Sequence, residues 1–375
     1  MPANILGERF SIMSFGESHG KCVGTIVDGC PAGLKLDEND IQPLLDLRKP
    51  GQSVVTTQRK ETDKAQILSG TFNGYTTGAP ICMVIWNADA DSRSYDEMKY
   101  TPRPGHSDFP AYIKYGGFAD YRGSGRFSGR LTATMVMGGS IALKILSEYL
   151  NIKIISYTKS IGSIVADTEN IPFDELSKKR YTNDVRCPDL DAAMEMKEAI
   201  LLARKSGDSV GGTIECISSQ LPPGLGEPIF GSIESELSKG LFSIPAVKGV
   251  EFGSGFSGSN LKGSQNNDLF YIDKVTGKVL TRTNNSGGIL GGITNGMPLK
   301  FRIALKPAAS ISMIQKTIDV TKKIETDLQV KGRHDPCVVP RAPPVVDSIV
   351  GIILLDNCIK LNLIPSVLKD SYDGQ

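Results

Sequence analysis

The 375-residue chain contains only three histidines, and each stands in a short motif punctuated by glycine or proline. His19 lies in Gly16-Glu17-Ser18-His19-Gly20, His106 in Arg103-Pro104-Gly105-His106-Ser107-Asp108, and His334 in Gly332-Arg333-His334-Asp335-Pro336. Imidazole is the side chain best suited to exchange protons near neutral pH. A single loop histidine is more often structural than catalytic. Three of three in charged, rigid motifs point to a site. His334 and Asp335 could ligate a metal in principle, but there is no HExxH and no Cys/His pair at ligand spacing, so no metal is expected. GxSxG is also absent, and the neighbours Ser18 and His19 cannot form a nucleophile–base pair with each other.

A second chemical signal runs from Asp120 to Arg130, where Arg122, Arg126 and Arg130 are spaced by glycines just before a helical pattern. Backbone N–H groups, a helix N-terminus and guanidinium forks together suit a phosphate or carboxylate. The alternative is a solvated arginine loop folded onto acidic surface. An RNA-binding reading lacks interleaved aromatics and net positive charge. The stretch from Gly253 to Gly258 matches GxGxxG literally, but the polar residues after it cannot begin an amphipathic helix, so no dinucleotide fold is expected there. Paired glycines between Gly287 and Gly292 would bring backbone close to a flat ring, or else form a packed turn. Lys306-Pro307-Ala308-Ala309-Ser310 follows a strand pattern and could hold a phosphate tail. These residues describe an enzyme acting on a phosphorylated, acidic small molecule.

The elements that must position these groups are mixed. Alternation predicts strands at 9–15, 23–27, 81–86, 213–217 and 299–305, and helical periodicity covers 131–150, 190–205 and 346–361. The fold class is α+β, in one large domain spanning 1–375. Long polar, glycine-rich stretches at 48–62, 89–108, 119–129, 252–267 and 281–296 carry Arg48, Arg59 and Arg103 as well as the arginines above. Lys plus Arg number 42 against 41 Asp plus Glu, which excludes a general basic field for nucleic acid. The longest apolar run, Ile349–Leu355, spans seven residues, far short of a membrane span. No apolar leader follows Met1, and seven cysteines without a CxxC pair suit a reducing compartment, so the cytoplasm is expected.

The motifs, in their order, resemble chorismate synthase over nearly the whole chain. They are GESHG at 16–20, RKPGQ at 48–52, TTQRKE at 56–61, RPGHSD at 103–108 and DYRGSGRFSGR at 120–130. GDSVGG at 207–212, AVKGVEFG at 246–253, GSQNND at 263–268, GGILGGI at 287–293, KPAAS at 306–310 and KGRHDPC at 331–337 continue the series. The resemblance implies anti 1,4-elimination of phosphate and a ring proton from 5-enolpyruvylshikimate 3-phosphate to give chorismate. It implies reduced FMN, with transient electron donation and no net redox. It further implies antiparallel sheets sandwiched between helices in a β-α-β sandwich with glycine-rich active-site loops, and a homotetramer.

By the same resemblance His19 assists phosphate departure, His106 protonates or polarises the flavin, and Asp356 works with the flavin in proton removal. Asp356 has an alternative role as a satisfied charge on an apolar helix. Arg48, Ser128, Arg130 and Arg341 would hold the substrate. Arg126, Phe127, Ser128, Pro245, Ala246, Gly291, Lys306, Pro307, Ala308, Ala309, Ser310 and Arg333 would contact the flavin. Relatives commonly carry Arg where Leu47 and Val54 stand, Thr in place of Ala308, and a smaller residue in place of Phe127. With no appended reductase domain, reduced flavin is expected from elsewhere and NADPH only indirectly, as its electron source. A flavin oxidoreductase with net turnover is the rival enzyme reading.

Overall fold

The computed structural model describes residues 3–51, 55, 62–88, 95, 98–330 and 335–368. Alternating apolar residues build two five-stranded antiparallel sheets. The first runs Ile5–Leu6, Ser11–Gly16, Cys22–Asp28, Ile81–Trp86 and Gln66–Ile67 in spatial order. The second runs Val247–Phe252, Pro298–Leu305, Gly212–Gln220, Ile154–Ile161 and Ile164–Val165. All five strands predicted from alternation are present.

Two long helices, Thr132–Leu150 and Pro343–Lys360, pack on each other between the sheets. Glycine makes their approach possible: a Cβ on Gly139 would lie 2.2 Å from Ser348 Cβ, and one on Gly351 would lie 2.9 Å from Leu143. The first of these helices faces the first sheet, where Gly138 sits against Ile12 and Val27. The C-terminal helix is buried along its length from Pro343 to Cys358 and meets the second sheet. It starts earlier than the periodicity alone predicts, because Pro343 and Pro344 occupy its first turn, where no N–H partner is needed.

The α+β class and the β-α-β sandwich are as expected. The second sheet does lie between helices: Phe173 and Leu176 of the helix Phe173–Lys179 cover Ile155, Tyr157 and Ile217 on its other face. At the centre the two long helices are held between the sheets, as a β-α-β sandwich requires.

Among the elements that the sequence patterns did not predict, two were hidden for opposite reasons. The helix Glu38–Arg48 contains Pro43, yet Asp37 and Asp40 form a capping box at its start, and Ile41 and Leu45 bury one face. Strand Ile154–Ile161 is buried at every position although half of it is polar. Several of its polar side chains find partners, with Lys159 Nζ donating to Ala166 O at 2.8 Å, Thr158 Oγ1 donating to Val185 O at 2.6 Å and Ser160 Oγ meeting Thr213 Oγ1 at 2.7 Å.

Asp356 belongs to this framework. Its Oδ1 accepts the backbone N–H groups of Glu8, Arg9 and Phe10 at 3.1, 2.6 and 2.9 Å, and its Oδ2 pairs with Lys360 at 3.0 Å. The carboxylate thus ties the N-terminal segment to the last helix. Asp356→Ala should lower the unfolding free energy by about 2–4 kcal/mol, because it leaves the N–H groups of Glu8, Arg9 and Phe10 without their acceptor and removes one of the three carboxylates paired with Lys360. Denaturant titration checks this. An equally large loss of turnover per folded molecule would instead place Asp356 in the chemistry.

Candidate active site

The Arg/Gly segment folds as two short 3-10 turns, Arg122–Phe127 and Gly129–Leu131, leading directly into the helix that begins at Thr132. Ser128 caps the second turn, its Oγ accepting the Arg130 N–H at 3.2 Å. Gly123, Ser124 and Gly125 all have positive φ, and Gly123 needs its hydrogen for a steric reason as well. A Cβ there would fall 2.2 Å from His19 Cδ2 and 2.4 Å from Nε2. Ser124 keeps its left-handed backbone, φ 70°, while its hydroxyl accepts from Arg103 Nη2 at 2.8 Å.

These turns form one wall of a 310 Å³ cavity. Arg48, Arg103, Arg130, Arg341 and Lys306 line it together with His106, and Asp335 is the one carboxylate among the described lining residues. Phe127, Ser128, Pro245, Ala246 and the whole segment from Lys306 to Ser310 complete most of the remaining surface. The size suits a small-molecule site, and the charge selects anions.

Each charged group is held by a specific partner. Arg48, 2% exposed, donates to Thr132 Oγ1 at 2.9 Å, to Asp63 at 2.9 Å and to the Gly129 carbonyl at 2.6 Å. Burial pushes its pKa down to about 10, against the opposing pull of Asp63, so it stays cationic at neutral pH. Arg130 pairs with the other oxygen of Asp63 and donates to Asn87 Oδ1 at 3.0 Å. Asn87 in turn donates to the carbonyls of Glu17 and Gly20, tying the His19 turn to Arg130. Arg341 donates to Asp335 at 2.5 Å.

His106 meets Asp108 through Nδ1 at 2.6 Å, and Arg103 clasps the same carboxylate through Nε at 2.7 Å and Nη2 at 2.8 Å. Arg103 also donates to Ser310 Oγ at 2.9 Å, while Lys306 Nζ donates to Gly105 O. The histidine loop therefore grips both ends of the 306–310 segment. With Nδ1 committed to Asp108, Nε2 is the ring atom left for a reacting partner. Burial alone would raise the Asp108 pKa, but hydrogen bonds and charge from Arg103 and His106 outweigh it and hold the carboxyl well below its usual range.

A depressed carboxylate contributes stability that is complete above its unfolded pKa and is lost as pH falls toward the folded value. Wild type and Asp108→Asn should therefore differ in unfolding free energy by a constant amount above about pH 5 and converge below about pH 4. A gap unchanged in acid would show that ionisation of Asp108 contributes nothing.

The other expected site residues are distributed as follows. His19, 8% exposed, stands one layer behind Gly123, edge-on to Tyr95 with ring centroids 5.3 Å apart. Arg126 lines a neighbouring 500 Å³ cavity that shares Ser128, Thr132 and Pro245 with the first. Gly291 is exposed in a turn between Ile289–Leu290 and Ile293–Thr294 and lines none of the three cavities described. Its neighbours Gly288 and Gly292 are closed against Pro298 O and Ser232, as a packed turn requires. Asp356 is absent from the cleft because the N-terminal backbone occupies it. Arg333, His334 and Val54 lie outside the described residues. Asp63, Asn87, Asp108 and Asp335 are the polar partners that motif spacing did not assign to the cleft.

A flavin fits these residues. Pro245, Ala246, Pro307, Ala308 and Ala309 supply apolar surface for a flat ring, and Lys306 and Ser310 supply polar groups for an anionic tail. No group of three or more His, Cys, Asp or Glu side chains that could hold a metal occurs among the described residues. No described helix is long and apolar enough to cross a membrane.

A cationic cleft with a histidine–carboxylate pair, set on an α+β frame, fits an enzyme that acts on small polyanions. Comparison narrows this. The family model for chorismate synthase matches residues 10–359. Chorismate synthase of Dehalococcoides mccartyi is 50% identical over 98% of this chain and 100% of its own length. That of Korarchaeum cryptofilum is 49% identical over 96% and 98%. A solved structure, described as the crystal structure of chorismate synthase, superposes with a TM-score of 0.74 at 30% identity, covering 95% of this chain and 93% of the other. The chain belongs to the chorismate synthase family. These are carbon–oxygen lyases of the shikimate pathway that convert 5-enolpyruvylshikimate 3-phosphate into chorismate, and the family uses reduced flavin.

Proposed function

We propose that the 310 Å³ cleft carries out this elimination, with Arg48, Arg130 and Arg341 holding the phosphate and carboxylates of the substrate. The observation that carries the reading is the meeting of five cationic side chains with one carboxylate in a single cavity. Phosphate leaves at the Arg130 end, where Asn87 links Arg130 to the His19 turn and His19 stands behind Gly123 as the acid. Asp335, fixed by Arg341, accepts the ring proton in place of Asp356. Reduced FMN is the cofactor, and when bound it lends electron density to the substrate and recovers it. Lys306 to Ser310, Pro245 and Ala246 would hold it, with Phe127 and Ser128 at its edge. His106, oriented by Asp108, keeps a proton at Nε2 beside that segment.

The chain works in the cytoplasm as one domain, assembles as a homotetramer, and takes reduced flavin from a separate reductase, with NADPH as the indirect electron source. Neither nucleic acid nor membrane is a partner. The test is anaerobic release of phosphate from 5-enolpyruvylshikimate 3-phosphate, with and without chemically reduced FMN. Flavin-dependent phosphate with equimolar chorismate is expected. Absence of release from a protein that binds both ligands would reject this division of tasks.

A further inference from the structure

Asp63 is 1% exposed and does not line the cleft, yet it touches two residues that do. Its Oδ2 accepts from Arg48 at 2.9 Å, and its Oδ1 pairs with Arg130. These guanidinium groups come from the end of one helix and from the turn before another, far apart in sequence. Thr132 and the Gly129 carbonyl hold Arg48 and Asn87 holds Arg130, but among the described contacts Asp63 is the one carboxylate that joins the two. Two unit charges about 4 Å apart in a protein environment repel by about 4 kcal/mol, which is a strong reason for such groups to splay. Burial would raise the Asp63 pKa, but Arg48 and Arg130 outweigh it and hold the carboxyl below its usual range.

The backbone is built to present this carboxylate. Asp63 has φ 45°, in the left-handed region that aspartate tolerates better than most residues. Gln42 clamps the segment, donating to Asp63 O at 3.1 Å and accepting from Ala65 N at 3.1 Å. Gln42 sits on the same helix as Arg48. The carboxylate and one of its arginines are thus referenced to a single rigid element.

We propose that Asp63 is a positioning residue for substrate binding, which holds Arg48 and Arg130 side by side as a preformed seat for one anionic group. The assignment rests on the proposed role of the cleft. It makes a prediction opposite to that of net charge. Removing a negative charge near an anion site should tighten binding if the field alone matters. If orientation matters, binding weakens because the freed guanidinium groups separate.

Asp63→Asn keeps the shape and the backbone preference. In the flavin-loaded enzyme it should raise KM for 5-enolpyruvylshikimate 3-phosphate by ~10-fold or more while kcat changes by less than ~3-fold. The inhibition constant of inorganic phosphate should rise in parallel. Ile145→Ala, a core truncation in the distal half of the Thr132–Leu150 helix, controls for lost stability and should leave KM unmoved. If Asp63→Asn does not fold, Asp63→Glu replaces it, with the same rise in KM expected from the displaced pair. Unchanged or lower KM in the soluble variant overturns the proposal. Failure of the wild-type protein to eliminate phosphate would instead overturn the function on which it rests.

Discussion

Replacing His106 with alanine should lower kcat by ~10²–10⁴-fold and move KM by less than ~3-fold, the signature of a group that matters only during the chemistry. Three features support so one-sided an effect. The ring is oriented by a short contact from Nδ1 to Asp108 at 2.6 Å, so its direction is fixed. It lines the cleft next to the 306–310 segment, which the same loop holds through Arg103 and Lys306. In the proposed arrangement the substrate's anionic groups are held by Arg48, Arg130 and Arg341, whose carboxylate partners are Asp63 and Asp335 and not His106. Steady-state kinetics with reduced FMN in excess reads both constants. A variant that binds poorly but turns over at the normal rate would make His106 a binding residue.

Asp335→Asn should be comparably severe, with kcat reduced by ~10²–10⁴-fold and KM unchanged or lowered. The sign of the KM effect discriminates between roles. Asparagine preserves volume and still accepts a hydrogen bond from Arg341, but it cannot take up a proton. It also removes the one negative charge among the described groups lining the cleft, which favours anionic ligands. A raised KM with normal kcat would mean that Asp335 serves only to orient Arg341. Rescue of kcat by Asp335→Glu would strengthen the assignment as base.

Much of the frame was legible because it depends on local patterns. Strand Ile81–Trp86 and helix Leu190–Lys205 fall where alternation and periodicity put them, the helix aided by Asp189 as its cap and by Gly207 beyond its end. The arginine segment was legible for the same reason: glycine spacing ahead of a helix is a local signal, and Arg130 does reach the cleft. What was hidden depends on long-range pairing. Asp63 is 15 positions from Arg48 and 67 from Arg130, and Asn87 is 43 from Arg130. Nothing in their own neighbourhoods marks them.

Asp356 poses the converse problem. An acidic residue inside an apolar helix looks like a buried functional group, and only the fold reveals that three N–H groups from the other end of the chain satisfy it. Asp335 carried a usable signal, since it shares a motif with His334 and Arg333, but the one use the residues alone suggested for it was metal ligation, which no second cluster supported. The glycine-rich stretch near Gly291 was ambiguous for a physical reason. Glycine permits close approach without stating to what, and here Gly287 and Gly288 approach backbone.

The central claim is an elimination assisted by reduced flavin with no net redox change, and the most direct measurement counts products per flavin. Under anaerobic conditions, a known amount of reduced FMN is supplied with a large excess of 5-enolpyruvylshikimate 3-phosphate, and phosphate, chorismate and remaining reduced flavin are quantified together. The account predicts equal phosphate and chorismate, both far exceeding the flavin, with the flavin still reduced at the end. Phosphate release that stops at one equivalent as the flavin becomes oxidised would contradict it and make the protein a flavin oxidoreductase.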